Sequence, residues 1–214
     1  MVELRNRIAE LEGKVSQLQN KNNNLENRVK ELESYQAVSH RVNSELSKEV
    51  DRLGQYTRRS NLIIRNMWLP EGEKNEQLHQ KVKDVIKNDL NLSSEADDID
   101  KLHRVGKVKE NNGKKHQNII VRFRSHSSRY SVFSQKKKLR NLKIGPNLTT
   151  TRNKLLSEAI NFVDSIEEVD FVYADIHGDI KVRLKEAHNG KFVFLFNTIE
   201  ELEKLLLEMN VKID

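Results

Sequence analysis

The chain has 214 residues, 36% of them hydrophobic and 33% charged, with no cysteine and a net charge of +6. This composition fits a solvated rod with one or two small domains better than one large core, and it excludes a disulfide framework or a thiolate metal site. No apolar run approaches the roughly 18 residues that span a bilayer, and the N-terminus is not a signal peptide, so the expected setting is intracellular, cytoplasmic or also nuclear, with no membrane partner.

Residues 1–57 balance nine basic against nine acidic side chains and carry a heptad pattern. Position a falls at Met1, Ile8, Val15, Asn22, Val29, Gln36, Asn43 and Val50, and position d at Leu4, Leu11, Leu18, Leu25, Leu32, Ser39, Leu46 and Leu53. A sustained 3.5-residue period keeps an apolar seam facing a partner chain, so a coiled coil is expected. A narrow stripe flanked by charges argues against the alternative, a long helix docked on its own domain. β-branched a positions, Leu at d and a core Asn point to a parallel dimer. Two segments point instead to a trimer. Arg7-Ile8-Ala9-Glu10-Leu11-Glu12 and Arg28-Val29-Lys30-Glu31-Leu32-Glu33 place Arg at g and Glu at e, so that Arg7 and Glu12, or Arg28 and Glu33, can pair between chains while the Arg stem covers the seam. They resemble the trimer-favouring coiled-coil motif, and the trimer is favoured. Asn22 and Asn43 fix register at some cost, and Gln36–Asn43 is the expected soft stretch. A heptad starting at residue 1 leaves open a truncated reading frame whose rod was once longer.

Residues 58–145 read as a small α+β domain. Asn61–Met67 is a strand, and Trp68-Leu69-Pro70-Glu71-Gly72 a turn. Asn75–Asn88 has helical spacing, with Leu78, Val82, Val85 and Ile86 on one face. Ile99–Val105 is a second strand, Asn111-Asn112-Gly113 a loop, and Asn118–Arg124 the clearest strand. Ser125–Leu139 reads as a second helix with Ser125 as N-cap, and Leu142–Ile144 as a last strand. The order β-α-β-β-α-β is that of the ferredoxin-like fold used by the RNA-recognition motif, or RRM. Residues 146–214 then form a small α/β domain. Thr149 or Thr150 caps a helix reaching about Ser165, strands follow at Asp170–Ala174, Ile180–Leu184 and Phe192–Phe196, and Thr198 with Glu201 makes a capping box for a helix over Thr198–Met209.

Residues 101–154 hold sixteen basic side chains and one acidic one, Glu110, whereas residues 155–214 hold six basic and thirteen acidic. A segment at +15 repels itself unless a polyanion or an acidic partner relieves it. The bland alternative is a solvated face, but the contrast along the chain favours nucleic acid. Alternation in Ile119–Arg124 sets Arg122 and Arg124, with Ile120, opposite Val121 and Phe123. Further candidate contacts are Arg58 and Arg59 at the exit of the rod, Arg104, the run Lys136, Lys137, Lys138 with Arg140, and Lys181 and Arg183 on one strand face. The lysine run also suits the C-terminal end of a helix dipole. Lys114, Lys115 and His116 sit in a loop that either closes over a strand or stays free.

Tyr56–Ile64, Leu102–Gly106, Ile119–Phe123 and Asn147–Arg152, behind a coiled coil and in that order, resemble the first-open-reading-frame protein of LINE-type non-LTR retrotransposons. They also resemble the related baculovirus FP family, whose C-terminal module is similar to residues 145–208. The LINE resemblance implies a homotrimer whose RRM and C-terminal domain bind single-stranded RNA, with DNA as the alternative, and act as a nucleic-acid chaperone in a ribonucleoprotein particle. It also places Arg152 near an RNA-contacting arginine. The FP resemblance implies a viral scaffold or assembly protein acting through its coiled coil. One departure stands out: the first strand, Asn61–Met67, carries no stacking aromatic and the third offers only Phe123, so Arg and Lys would carry binding, with steep salt dependence.

No Gly-x-Ser-x-Gly, Walker A or His-Glu-x-x-His motif is present. The seven histidines show no ligand spacing. Asp97, Asp98 and Asp100 are the one candidate Mg²⁺ cluster, for a nuclease. No cofactor and no catalytic residue are expected.

Overall fold

The computed structural model describes residues 2–70, 72–111, 113–188 and 191–209. Met1, Glu71 of the expected turn and Asn112 of the expected loop lie outside the described residues. The chain divides into two compact units, Met1–Val50 and Asp51–Asp214. The last turns of the first helix thus belong to the second unit, which starts seven residues before the boundary expected after residue 57.

The first helix, α1, runs unbroken over Val2–Thr57. Its Ile8, Leu11, Val15, Leu18, Leu25, Val29 and Leu32 are each between 49% and 64% exposed, an apolar seam that one chain cannot cover by itself. Arg7 pairs within its own chain with Glu10 at 2.9 Å, and Lys14 reaches the same carboxylate at 2.5 Å. Such exposed pairs contribute little to stability.

The second unit opens with a four-stranded antiparallel sheet: β1 (Asn61–Trp68), β2 (Ile99–Asn111), β3 (Lys114–Phe123) and β4 (Lys143–Pro146), in the spatial order β2-β3-β1-β4. Between β1 and β2 lie α2 (Asn75–Asp84), a π-helical turn at Val85–Asp89 and α3 (Ser93–Asp97); α4 (His126–Ser134) joins β3 to β4. The chain thus runs β-α-β-β-α-β. Leu62 and Ile64 of β1 and Ile119, Val121 and Phe123 of β3 face the helices, where Leu78, Val82, Ile86 and Val132 complete the core. Ser125 caps α4, accepting from the Ser128 amide at 3.2 Å. The helix ends at Ser134 rather than Leu139. Lys136–Lys138 then form a single 3-10 turn.

A second core lies in the C-terminal module. Strands β5 (Val169–Ala174), β6 (Ile180–His188) and β7 (Lys191–Leu195) pair in that order, with α5 (Thr150–Val163) and α6 (Ile199–Glu208) packed on one side. Thr149 is the N-cap of α5 and Thr198 that of α6. Half of the expected capping box forms, Thr198 Oγ1 accepting from the Glu201 amide at 3.1 Å, while the Glu201 carboxylate accepts from the Asn197 amide at 2.8 Å rather than from that of Thr198.

A junction ties the modules of this unit together. The Gln55 side chain, buried at the end of α1, donates to the Asn147 carbonyl and accepts from the Thr149 amide. Arg129, 4% exposed on α4, donates to the carbonyls of Asn61 and Ile176. Burial lowers its pKa to about 10, with Asp175 opposing the shift, so it stays charged at neutral pH.

Candidate nucleic-acid interface

The helices cover one face of the four-stranded sheet. The register of the strands defines the other. Across its middle run Gly145, Ile63, Ile120 and His103, one from each strand. On one side of that row Asn61, Arg122 and Lys101 stand in register; on the other, Arg65 stands opposite Lys143. Two half-buried isoleucines therefore lie between two cationic rows. Directly opposed side chains in a sheet are about 5 Å apart, and like charges there repel.

Arg65 and Lys143 have no acidic partner among the described residues, and the same holds for Lys101, Lys137, Lys138 and Arg140. The Arg65 guanidinium lies so close over Gly145 that a Cβ there would sit 2.7 Å from Nη1. Burial lowers the pKa of Arg65. A partly desolvated cation beside another cation is a state that a phosphate relieves.

The expected site residues separate into three groups. Arg122 and Arg124 are exposed, as alternation predicts, although Arg122 lies 3.3 Å from Asp100. Ser60 accepts from the Phe123 amide, which brings the sheet end bearing Arg124 beside Arg58 and Arg59. Arg58 donates to Gly54 O at 2.8 Å and the Arg59 guanidinium sits 3.6 Å from the Tyr56 ring centroid; neither meets an acid among the described residues. Lys136 stacks on Phe133, while Lys137, Lys138 and Arg140 are exposed ahead of β4.

Arg104 and Arg152, both expected as contacts, are engaged within the chain. Arg104 lies on the helix-covered side, opposite Ile119, and is spent internally: its Nε and Nη2 reach Glu73 at 2.7 and 3.0 Å, and it also donates to the carbonyls of Met67, Trp68 and Gln117. Burial alone would raise the pKa of Glu73, but hydrogen bonds from Arg104 and then Lys81 outweigh it and hold the carboxyl below its usual value. Arg152 is likewise held, by Asp51 at 2.8 Å, Gly178 O at 2.9 Å and Asp179 at 3.1 Å. Phe123, the one aromatic that the strand pattern offered for stacking, is 1% exposed in the core.

No protein-family model and no curated protein sequence matches this chain.

In the C-terminal module, Phe171, Arg183 and Val193 form one row of the uncovered sheet face, and Tyr173, Lys181 and Leu195 the next. Lys181 pairs with Asp175 at 2.6 Å and Arg183 with Asp170 at 3.3 Å. The hydrogen bond to Asp175 raises the pKa of Lys181. These cations are balanced, unlike Arg65 and Lys143. The three candidate metal-binding carboxylates are also engaged: Asp97 with Lys83 and Lys87, Asp98 with the Ser125 amide and hydroxyl, and Asp100 with Arg122. Among the described residues no cluster of three His, Cys, Asp or Glu side chains fits a metal ion, and no helix is long and apolar enough to cross a membrane.

The sequence reading missed Arg65, Lys101 and Lys143. Parity with Asn61 and Ile63 was enough to put Arg65 on the Arg122 side of the sheet. The juxtaposition with Lys143 needed the β1–β4 register, which no local pattern encodes.

Proposed function

We propose that the chain is a non-enzymatic, oligomeric protein that binds single-stranded nucleic acid, RNA in the first place, across the uncovered face of an RRM-like, ferredoxin-like sheet. The coiled coil joins copies, so modest contacts on each add by avidity. This is the arrangement expected of a retrotransposon-type RNA-binding chaperone that coats RNA in a ribonucleoprotein particle. The observation that carries the reading is the pair of cationic rows on either side of Ile63 and Ile120, above all Arg65 against Lys143, which no acid among the described residues compensates. β1 spans about 23 Å at roughly 3.3 Å per residue, room for several nucleotides.

Fluorescence anisotropy of a labelled single-stranded RNA, titrated at several salt concentrations, tests it. Each phosphate neutralised on a single strand contributes about −0.7 to the log–log slope. A slope steeper than about −3 supports the reading, whereas weak, salt-insensitive binding sinks it. The second reading is a scaffold of the FP type. The exposed Phe171, Val193 and Leu195 favour it, since an apolar sheet face suits a protein partner; it requires no RNA affinity.

A further inference from the structure

Among the described residues the uncovered face of the four-stranded sheet offers no Phe, Tyr or Trp and only the imidazole of His103, yet one of its two central strands ends on a tryptophan. Trp68 is the only tryptophan in the chain and is half exposed. Its surroundings are built rather than loose. The Trp68 carbonyl accepts from Arg104 Nη2 at 2.7 Å, and the next amide, Leu69, donates to Lys115 O at 2.7 Å. Two residues earlier, Asn66 adopts a left-handed φ of 63° in the bulge that interrupts the β1–β3 register, and its carbonyl lies 3.1 Å from His116 Nδ1. Main-chain contacts on both sides of Trp68 thus set where the indole emerges.

The ring borders an open groove of about 690 Å³, lined by Trp68, Leu69, Pro70, Glu73, Lys114 and Lys115 among others. That volume lies within the usual range for ligand sites, roughly 300–1,000 Å³. Lys81 Nζ stands 4.9 Å from the ring centroid. Among its described residues the groove is cationic on balance. Glu73, its buried carboxylate, is shared by Arg104 and Lys81, which leaves that trio one positive charge in excess. Lys114 and Lys115 add two more. Glu110 is in register with Lys115 across the hairpin but makes no ion pair with it. The groove lies at the end of the strand that carries Arg65, three residues beyond it.

A planar aromatic, fixed in place and surrounded by cations, fits a nucleobase with its phosphate. We infer that Trp68 is a base-stacking position for single-stranded nucleic acid, with Lys114 and Lys115 holding the adjoining phosphates. The inference rests on the nucleic-acid reading and supplies the stacking contact that the buried Phe123 does not.

A lone tryptophan makes the test direct. Full-length protein is titrated with an unlabelled single-stranded oligoribonucleotide while indole emission is followed, in parallel with anisotropy of a labelled copy. An oligomer of the same length carrying abasic sites serves as the charge-matched control. Stacking quenches the emission with the same midpoint as the anisotropy change, and the abasic oligomer does not quench. Trp68→Ala weakens binding about 5-fold to 150-fold, the range for one stacked base, Trp68→Phe recovers most of the loss, and the salt slope of both stays that of the wild type. Binding by anisotropy without quenching, or equal quenching by the abasic oligomer, overturns the stacking position and leaves the nucleic-acid reading standing. Absence of binding removes both. If Trp68→Ala does not fold, the wild-type quenching experiment still decides.

Discussion

Asp51 and Arg152 are 101 positions apart in the chain and 2.8 Å apart in space, Nε to Oδ2. The contact joins the last turns of α1 to the first turn of α5, and Asp51 also accepts from the Thr149 hydroxyl that caps that helix. One carboxylate thus serves a guanidinium and a cap together. Arg152→Ala leaves Asp51 and the carbonyl of Gly178 without their charged donor. The expected cost is about 1.5–3 kcal/mol, the range for hydrogen bonds to charged groups, read as a lower urea midpoint with an unchanged m-value.

Gly178 tests the same junction from the other side. Its φ is +87°, and an added Cβ would collide with the buried Gln55 side chain. Gly178→Ala is expected to cost about 1–3 kcal/mol through the strained backbone, with further loss from the collision. Gln55→Ala by itself loses the bonds to Asn147 and Thr149, so the comparison is made within that background, where Gly178→Ala should cost only the backbone part. No cost of Gly178→Ala in urea unfolding of the Gln55→Ala protein would show that the backbone carries none of it.

The Glu73 cluster predicts an acid limb of stability. The folded-state pKa of Glu73 lies below the unfolded value, which is about 4.3. Its contribution is therefore fully present above that value and is lost as pH falls through the lower folded pKa. Between about pH 5 and pH 3 the urea midpoint should fall, and Glu73→Gln should flatten that fall. At neutral pH the same variant should be less stable by about 3 kcal/mol, because Arg104 then lies buried without its counter-charge. Indole emission should change as well, since Arg104 also holds the Trp68 carbonyl.

Arg65 and Arg122 occupy opposite cationic rows. If each meets one phosphate, Arg65→Ala or Arg122→Ala reduces the salt slope of RNA binding by about 0.7, and the double variant by about 1.4. Arg104→Lys, on the covered face, should leave the slope unchanged. Equal slopes in all variants would remove this face from the interface.

The exposed seam of α1 predicts self-association. Leu18→Lys with Leu25→Lys places charges at two d positions. Sedimentation of the full chain should then shift from an oligomer to the 25.0 kDa monomer. A wild type that already sediments as a monomer would end the coiled-coil reading.

The heptads made α1 legible because its pattern is local and long. The strands were legible where buried residues alternate, as in Ile119–Phe123, and so was the Ser125 cap, which depends on three residues. What sequence reading could not supply is pairing across distance. Arg104 and Arg152 read as free cations because Glu73 and Asp51, the residues that bind them, lie 31 and 101 positions away. Arg129 sits in a polar helix and is nevertheless buried against two carbonyls, which no local pattern signals. Trp68 read as part of a turn; the bulge at Asn66 extends β1 to include it.

Arg129 also bears on the order of synthesis. Of its two carbonyl acceptors, Asn61 O belongs to the first strand made, whereas Ile176 O lies in a turn translated 47 residues after Arg129 itself. N-terminal domains fold first as a chain emerges. The four-stranded sheet therefore assembles around a guanidinium that still lacks one acceptor, and the nascent domain is completed only when the β5–β6 turn arrives from the ribosome.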